Sequence, residues 1–339
     1  KHKLIDKIAY LDEYQNGMKK AMNVKKEDDL NEIDILDYVD ATISKSANFS
    51  TKESIAVIVA PGEIRGGEGS VNIIGEGSIN RALKEARNNE NIKAVVLRVN
   101  SPGGSALTSD IIWREIELTK KVKPVVVSMG DVAASGGYYI ACNADRIFAE
   151  PSTITGSIGV FGVVPNFKGV ADKFGVNAEV VKTHENASGY SAFEDMDPKF
   201  KSTIQESIER TYSTFVNRVA KGRKMTFEQV DAIAQGRVWT GSMALKNGLV
   251  DEIGGLDKAI QFAAKKVKLD TYKVTYFPEY EIELRDMFRG FLGMEVKNSQ
   301  ENAMIESIGK ENYELLQRIN YIKQTDGIQA MMPYQLIIK

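Results

Sequence analysis

Ala94-Val95-Val96-Leu97-Arg98-Val99, closed at once by Asn100-Ser101-Pro102-Gly103-Gly104, is the stretch that decides the fold. A short, almost wholly apolar run ended by a proline and two glycines reads as a strand entering a turn. It lacks the alternation of a strand with one wet face, so both of its faces should be covered, the habit of parallel sheets. Working outward, the pattern recurs. Ile55-Ala56-Val57-Ile58-Val59 is a similar run ending at Pro61-Gly62, and Pro124-Val125-Val126-Val127-Ser128-Met129 is a third. Between them, Ile79 to Asn88 and Thr108 to Lys121 have helical spacing, with Ser78 as the expected N-cap of the first. Gly62 to Gly77 reads as a loop. Strand–helix–strand alternation predicts an α/β fold with parallel pairing and crossover helices. Further on, Met196 to Ala220 reads as a long amphipathic helix, Thr226 to Ala234 as a shorter one, and Tyr272 to Phe277 as another strand. From Pro278 the pattern is weak.

Bulk properties narrow the class. With 339 residues, 43% hydrophobic and 27% charged, the chain is long enough to bury a sizeable core. A net charge of −2 without a Lys/Arg block gives no nucleic-acid signature. One cysteine, Cys142, excludes an intrachain disulfide framework, and two histidines, His2 and His184, argue against a Cys/His zinc site. No cofactor and no metal are expected. No stretch approaches the roughly 20 apolar residues of a membrane span.

The first residues carry a repeat. Lys1, Leu4, Asp6, Ile8, Leu11 and Asp12 are identical to the residues 245 positions later, in Lys246 to Asp257, and Ile5 faces Val250. Against chance likeness of two helix entries, we read a tandem duplication. Residues 1–45 are then expected to be the tail of a preceding repeat and a linker, 46–270 one α/β domain, and 271–339 a C-terminal extension. The opening at Lys1, without Met, reads as a fragment whose targeting or anchoring would be encoded upstream.

Three glycine-rich turns stand where strands should end: Ser101 to Ser105, Ala133-Ala134-Ser135-Gly136-Gly137-Tyr138, and Thr155-Gly156-Ser157-Ile158-Gly159. Ligands of α/β sheets gather at such ends. Small neighbours around Ser135 let a substrate backbone come close, and Gly136-Gly137 permit a sharp turn into a helix from Tyr138 to Asn143. A serine there meets unpaired helix N–H groups, and the Gly103-Gly104 turn offers a second donor for a tetrahedral oxyanion. Tight helix–strand packing would account for the same glycines. Phosphate binding has less support, since neither Gly-x-Gly-x-x-Gly nor a P-loop is present at a strand–helix junction. A nucleophilic serine needs a base. His184 lies in a polar stretch, which suits a solvated loop residue, so a Ser-His-Asp triad is weakly supported. A lysine kept neutral by burial is the other solution. Lys168, Lys173 and Lys182 are the positional candidates. Tyr138 and Tyr139 read as core aromatics.

As an ordered set, Val99 to Gly104, Ser128 to Ile140, Pro151 to Gly159, Gln235 to Gly241 and Asn247 to Asp251 closely resemble the signal peptide peptidase family, peptidase family S49. The resemblance covers about residues 50 to 265. It implies a ClpP/crotonase-like spiral of ββα units with parallel sheets and flanking helices. The implied activity is a Ser/Lys-dyad endopeptidase that degrades remnant signal peptides. Carried over by position, Ser135 is the nucleophile, Ser157 matches the serine that holds the base lysine, and Gly104 and Gly136 match the oxyanion hole. The base itself departs from the pattern. In single-unit members the lysine follows a stretch that aligns here with Glu179-Val180-Val181-Lys182-Thr183, and its position falls on Ala187; Lys182 matches a different lysine. Long members are tandem duplications with the lysine in the first unit and the serine in the second. The chain therefore resembles the second half of the long form, its base supplied by the preceding repeat. The resemblance further implies peptide substrates, a homo-oligomeric ring (a tetramer in the long form), and membrane association through an upstream segment. It implies a place at the bacterial inner membrane with the catalytic domain facing the periplasm. A crotonase-type acyl-CoA enzyme on the same fold and a catalytically degenerate scaffold are the alternatives.

Overall fold

The computed structural model describes residues 17–23, 25, 51–278 (apart from 177, 185, 186, 188 and 189) and 329–331. The chain divides into two compact units, Lys1–Ser50 and Thr51–Lys339. In the first, residues 17–21 are helical; the repeat read at residues 1–12 lies outside the described residues.

The second unit is built on a mainly parallel sheet. Its backbone is β1 (Ser54–Pro61), β4 (Ile92–Ser101), β6 (Val125–Ala134), β7 (Arg146–Ala149), β10 (Glu252–Ile253) and β11 (Lys273–Phe277), in the order β10-β7-β6-β4-β1-β11, every neighbour parallel. Connections from β1 to β4 and from β4 to β6 step in one direction across the sheet. Connections of constant hand then put their helices on one face. Those helices are α1 (Glu76–Asn88) and α2 (Ala106–Lys120), joined there by α3 (Gly136–Ala141). Their Leu83, Ile112, Trp113, Ile116 and Tyr138 bury against Ala56, Ile58, Val95, Leu97, Val125 and Val127. The connection that returns from β10 to β11 at the far edge carries α8 (Leu256–Lys266), and α8 covers the opposite face. Its Ala259, Ile260, Ala263 and Ala264 pack on Ile55, Val57, Ala94, Val96, Val126 and Phe148. Odd and even positions of the same strands thus enter two different cores, which is why the runs show no alternation.

The expected α/β class with parallel sheets and flanking helices is what the chain forms. Two local readings change. Ser78 is not the N-cap of α1. The helix starts at Glu76 after Gly75, and Ser78 lies buried within its first turn. The free N–H groups there are taken by the preceding loop instead, Gly77 N–H by Gly67 O and Ser78 N–H by Glu68 O. That loop is also not wholly irregular. It carries β2 (Glu63–Ile64) and β3 (Ile73–Ile74), paired in parallel, with β2 also pairing β5 (Gly103–Ser105) through Ile64 and Gly104. A second sheet, ordered β12-β5-β2-β3, is closed by β12 (Gln329–Met331), antiparallel to β5.

Two pieces frame the end of β6. Its last three residues leave β7 and pair with β8 (Ile154–Gly156), which pairs in turn with antiparallel β9 (Val238–Thr240). Then come the short α4 (Lys168–Lys173) and α5 (Pro198–Arg223), started by Asp197, whose carboxylate accepts the Lys199 and Phe200 N–H groups. Only the C-terminal part of α5 is buried, through Phe215, Val216, Val219 and Ala220. It is followed by α6 (Phe227–Ile233), opened by a capping box between Thr226 and Gln229, and α7 (Gly241–Lys246).

Candidate active site

Ser135 joins β6 to α3, and the strain of the junction falls on the serine rather than on the glycines after it. Its backbone sits at φ 53° and ψ −115°, a region that costs a non-glycine residue about 1–3 kcal/mol and persists only where the surroundings enforce it. They do. Ser135 N–H donates to Gly156 O at 2.9 Å, and Ser135 O accepts the Tyr139 N–H at 2.8 Å. Just upstream, Ala133 is paired with Ser101 on one side and Thr155 on the other. Thr155 Oγ1 also donates to Ala133 O at 2.7 Å, and Thr153 Oγ1 to Gly130 O at 2.8 Å. These two threonines act as pins for the strand that delivers the serine. Thr153 lies just before β8 and Thr155 within it, and that spacing of two is the sequence signal that could have marked them.

The hydroxyl itself is loosely held. Ser135 Oγ reaches only Gly159 O, at 3.4 Å, the far limit of a useful hydrogen bond. Ser135 is fully buried, and so are Gly103, Gly104 and Gly136. Gly136 opens α3, so its N–H is among the four that have no partner within the helix. Helix α3 packs on β4 and β5, with Gly137 so near Ser101 O that a Cβ would stand 2.8 Å from it. Gly104 is tighter still. At φ 153° it lies against Ile64, where a Cβ would stand 2.0 Å from the carbonyl oxygen. Only glycine lets β5 lie this close to β2 while running beside α3. Ser135, Gly136 and the Gly103-Gly104 strand therefore come together at the carboxyl end of the parallel sheet.

The third glycine-rich turn wraps the same place. Ser157, 1% exposed and at φ 47°, donates its N–H to Arg237 O at 2.8 Å. With Gly159, Val160, Phe161, Ile208 and Tyr212 it lines a cavity of about 340 Å³ beside the serine turn. The Tyr212 hydroxyl donates to Asp231, and burial leads the causes that push its phenol up to about 12.

Tyr138 and Tyr139 are core residues. Tyr138 donates to Leu249 O at 2.8 Å; Tyr139 donates to Asp110 at 2.8 Å and packs against Phe215. Burial pushes both phenols above their ordinary range. It also pushes the Cys142 thiol up to about 12, which makes that thiol inert rather than nucleophilic.

The candidate bases lie elsewhere. Lys168 is paired with Asp172 at 2.7 Å, and that hydrogen bond raises its pKa, opposite to what a base requires. Lys173 and Lys182 are exposed. His184 is exposed and meets only Thr183 Oγ1, at 3.3 Å; Ala187 is exposed as well. Among the described residues no lysine is buried, and none bonds to Ser135. One ammonium, that of Lys123, is held below its ordinary value, first by desolvation. It donates to Ala86 O and Asn89 O at the start of β6, the opposite end of the strand from the serine.

Comparison with known proteins bears on this arrangement. The model of peptidase family S49 matches residues 117–270, which contain Ser135 and Ser157. Protease 4 of Haemophilus influenzae is 42% identical over 261 residues, covering 75% of this chain and 42% of the relative. The Synechocystis protein slr0021, provisionally named a protease, is 37% identical over 226 residues, covering 66% of this chain and 78% of the relative. Among solved structures, a point mutant of ClpP1 from Listeria monocytogenes aligns with a TM-score of 0.40 and 15% identity, covering 66% of this chain and 99% of that one. The matched part of the chain spans less than half the length of Protease 4.

Proposed function

The chain belongs to peptidase family S49, and from that premise we propose that it is the serine-bearing part of a Ser/Lys endopeptidase acting on remnant signal peptides. The observation that carries the reading is Ser135: a serine in a strained, pinned junction, its hydroxyl almost unpartnered, where the start of α3 packs against β5; we assign the Gly104 and Gly136 N–H groups as its oxyanion donors.

The steps follow from that geometry. A neutral lysine amine from the preceding repeat takes the proton of Ser135 Oγ as the oxygen attacks a peptide carbonyl. The negative charge that develops on the carbonyl oxygen is met by the Gly104 and Gly136 N–H groups, which need no rearrangement because their strand and helix are already fixed. The tetrahedral species collapses, the C–N bond breaks, and the ammonium returns its proton to the leaving amine. Water, deprotonated by the same amine, then attacks the acyl-serine and releases the second product. Ser157, in the turn beside the nucleophile, is the residue we assign to hold the lysine amine. The same reading carries a ring of subunits, tetrameric for the long form, and attachment to the bacterial inner membrane with the catalytic domain on the periplasmic side. Among the described residues no helix is long and apolar enough to cross a membrane.

The lack of a buried amine beside Ser135 among the described residues favours one second reading, a scaffold half without its own chemistry. The test separates the two. A reporter peptide of small apolar residues is given to residues 1–339 alone, to the full-length polypeptide, and to the full-length Ser135→Ala variant. Hydrolysis by the full-length polypeptide that disappears with Ser135→Ala supports the dyad, and a silent 1–339 places the base upstream. Full activity in 1–339 alone moves the base into this chain, with Lys182 the first to substitute. A full-length polypeptide that is silent on every peptide leaves the scaffold.

A further inference from the structure

We propose that β12 occupies the edge along which an extended peptide substrate must lie, so that this segment of the chain competes with substrate for the serine; the inference rests on the peptidase reading above. Strand β5 has two edges. One is used by β2, where Ile64 pairs with Gly104. A peptide that directs a carbonyl towards the Gly104 and Gly136 N–H groups has to run along the other, adding a strand as peptides commonly do at exposed edges. That edge is filled. Met331 stands opposite Gly103, Ala330 opposite Gly104 and Gln329 opposite Ser105, antiparallel. Strand β12 also packs on α3, the helix that begins directly after the nucleophile.

The burial of the site agrees with this placement. Ser135 has no exposed surface, and Gly104 and Gly136 are buried with it. A nucleophile that must touch a peptide carbonyl is covered in this state. The pairing is also one that can be exchanged. It is three residues long, and two of its partners are glycines, which offer no side chain for cross-strand packing. A longer peptide with side chains to place can replace it through the same main-chain bonds. While β12 is seated, the apparent affinity for peptide is lowered by the fraction of molecules in which the edge is open.

The test pairs Ser105→Cys with Gln329→Cys in the full-length polypeptide. Facing residues of an antiparallel pair lie within the Cα separation that a disulfide spans, and the native Cys142 is fully buried and does not compete. Because Ser105 caps α2, Ser105→Cys alone is the control. The expected result is a cross-link that forms on mild oxidation, lowers peptide hydrolysis by more than about tenfold, and is reversed by reductant. A second variant, Ala330→Pro with Met331→Pro, removes the N–H groups that β12 offers. It is expected to lower KM by about tenfold at unchanged kcat, as the open fraction rises. A cross-linked protein that hydrolyses peptide as well as its reduced form overturns the proposal, because β12 and substrate then sit together. Failure to cross-link overturns it too, by removing β12 from that edge. If the wild type is itself silent on every peptide while the cross-link forms, the peptidase reading has failed and takes this inference with it; in that case alone the uncross-linked protein is inactive.

Discussion

Gly104→Ala puts the closest contact of the site under load. An alanine Cβ there would stand 2.0 Å from Ile64 O and 2.8 Å from that residue's carbonyl carbon and nitrogen, all main-chain atoms. Real Cβ contacts do not fall below 3.0 Å, so β5 and β2 must part by about 1 Å, with no flexible side chain to absorb the shift. Two costs add. Holding a non-glycine residue at φ 153° costs about 1–2 kcal/mol, and forcing a methyl into a packed contact about 1–3 kcal/mol. A destabilisation of about 2–5 kcal/mol follows, which for a domain of this size lowers Tm by about 4–20 °C. The catalytic effect is separable. A donor displaced by about 1 Å no longer meets the oxyanion, which costs about a hundredfold in kcat while KM moves far less. Urea denaturation and steady-state peptidase assays of the full-length variant, run well below its Tm, read the two effects apart. A Gly104→Ala protein within about 0.5 kcal/mol of wild type, with kcat within about threefold, would falsify both the close approach of β5 to β2 and the role given to the Gly104 N–H.

Thr155→Val keeps the shape but removes the hydroxyl that donates to Ala133 O; we expect a loss of about 1–2 kcal/mol in urea unfolding and a drop in kcat larger than any change in KM. Arg223, almost fully buried, pairs with Asp251 at 2.6 and 3.0 Å and donates to Gly248 O. Arg223→Met takes the guanidinium from a carboxylate that is a quarter exposed and keeps the Ile147 N–H, and should cost about 1–3 kcal/mol, read by chemical denaturation. Cys142 should resist alkylation at pH 8 until the protein unfolds, and a labelling rate equal to that of a free thiol would contradict its burial. Its folded pKa of about 12 lies above the ordinary 9.0, so its contribution is complete below pH 9 and is lost as the pH climbs towards 12. Cys142→Ala should flatten that alkaline decline in a Tm-versus-pH series. The Glu252 carboxyl is held below 4.5, first by its hydrogen bond with Lys258 and then by Arg146. Its contribution is therefore present above pH 4.5 and lost below it, and Glu252→Gln should make the acid side of the same series less steep.

Much of this architecture is legible in the residues. The β-branched runs of β1, β4 and β6 announce buried parallel strands because two covers, α1 and α2 on one side and α8 on the other, leave no face for polar side chains. The helix ends are less visible. Ser78 looks like a cap by residue type, but loop carbonyls at Gly67 and Glu68 capture the same N–H groups, and that choice depends on tertiary contact. Two-residue strands such as β2 and β3 carry no periodicity at all, and β12 is defined by its partner alone. At the site, the glycine-rich turns point to Ser135, Gly104 and Gly136 because close backbone approach demands small residues. The positive φ of Ser135 is invisible in the sequence, since the glycines that follow it look like the natural place for the turn. The base that the proposed dyad requires leaves no signature among the described residues beyond the alanine at position 187.

The pairing of β1 with β11 has a consequence for how the chain is made. Ser54 lies beside Lys273, so the outer edge of β1 stays open while some 219 further residues are synthesised. At about 5–20 residues per second, that exposes a strand rich in isoleucine and valine, with its N–H and C=O groups unpaired, for about 10–45 seconds. Such an edge is a template for pairing with another nascent chain. The polypeptide is therefore expected to need a holding chaperone during translation, and a version cut at residue 270 keeps the same edge open permanently.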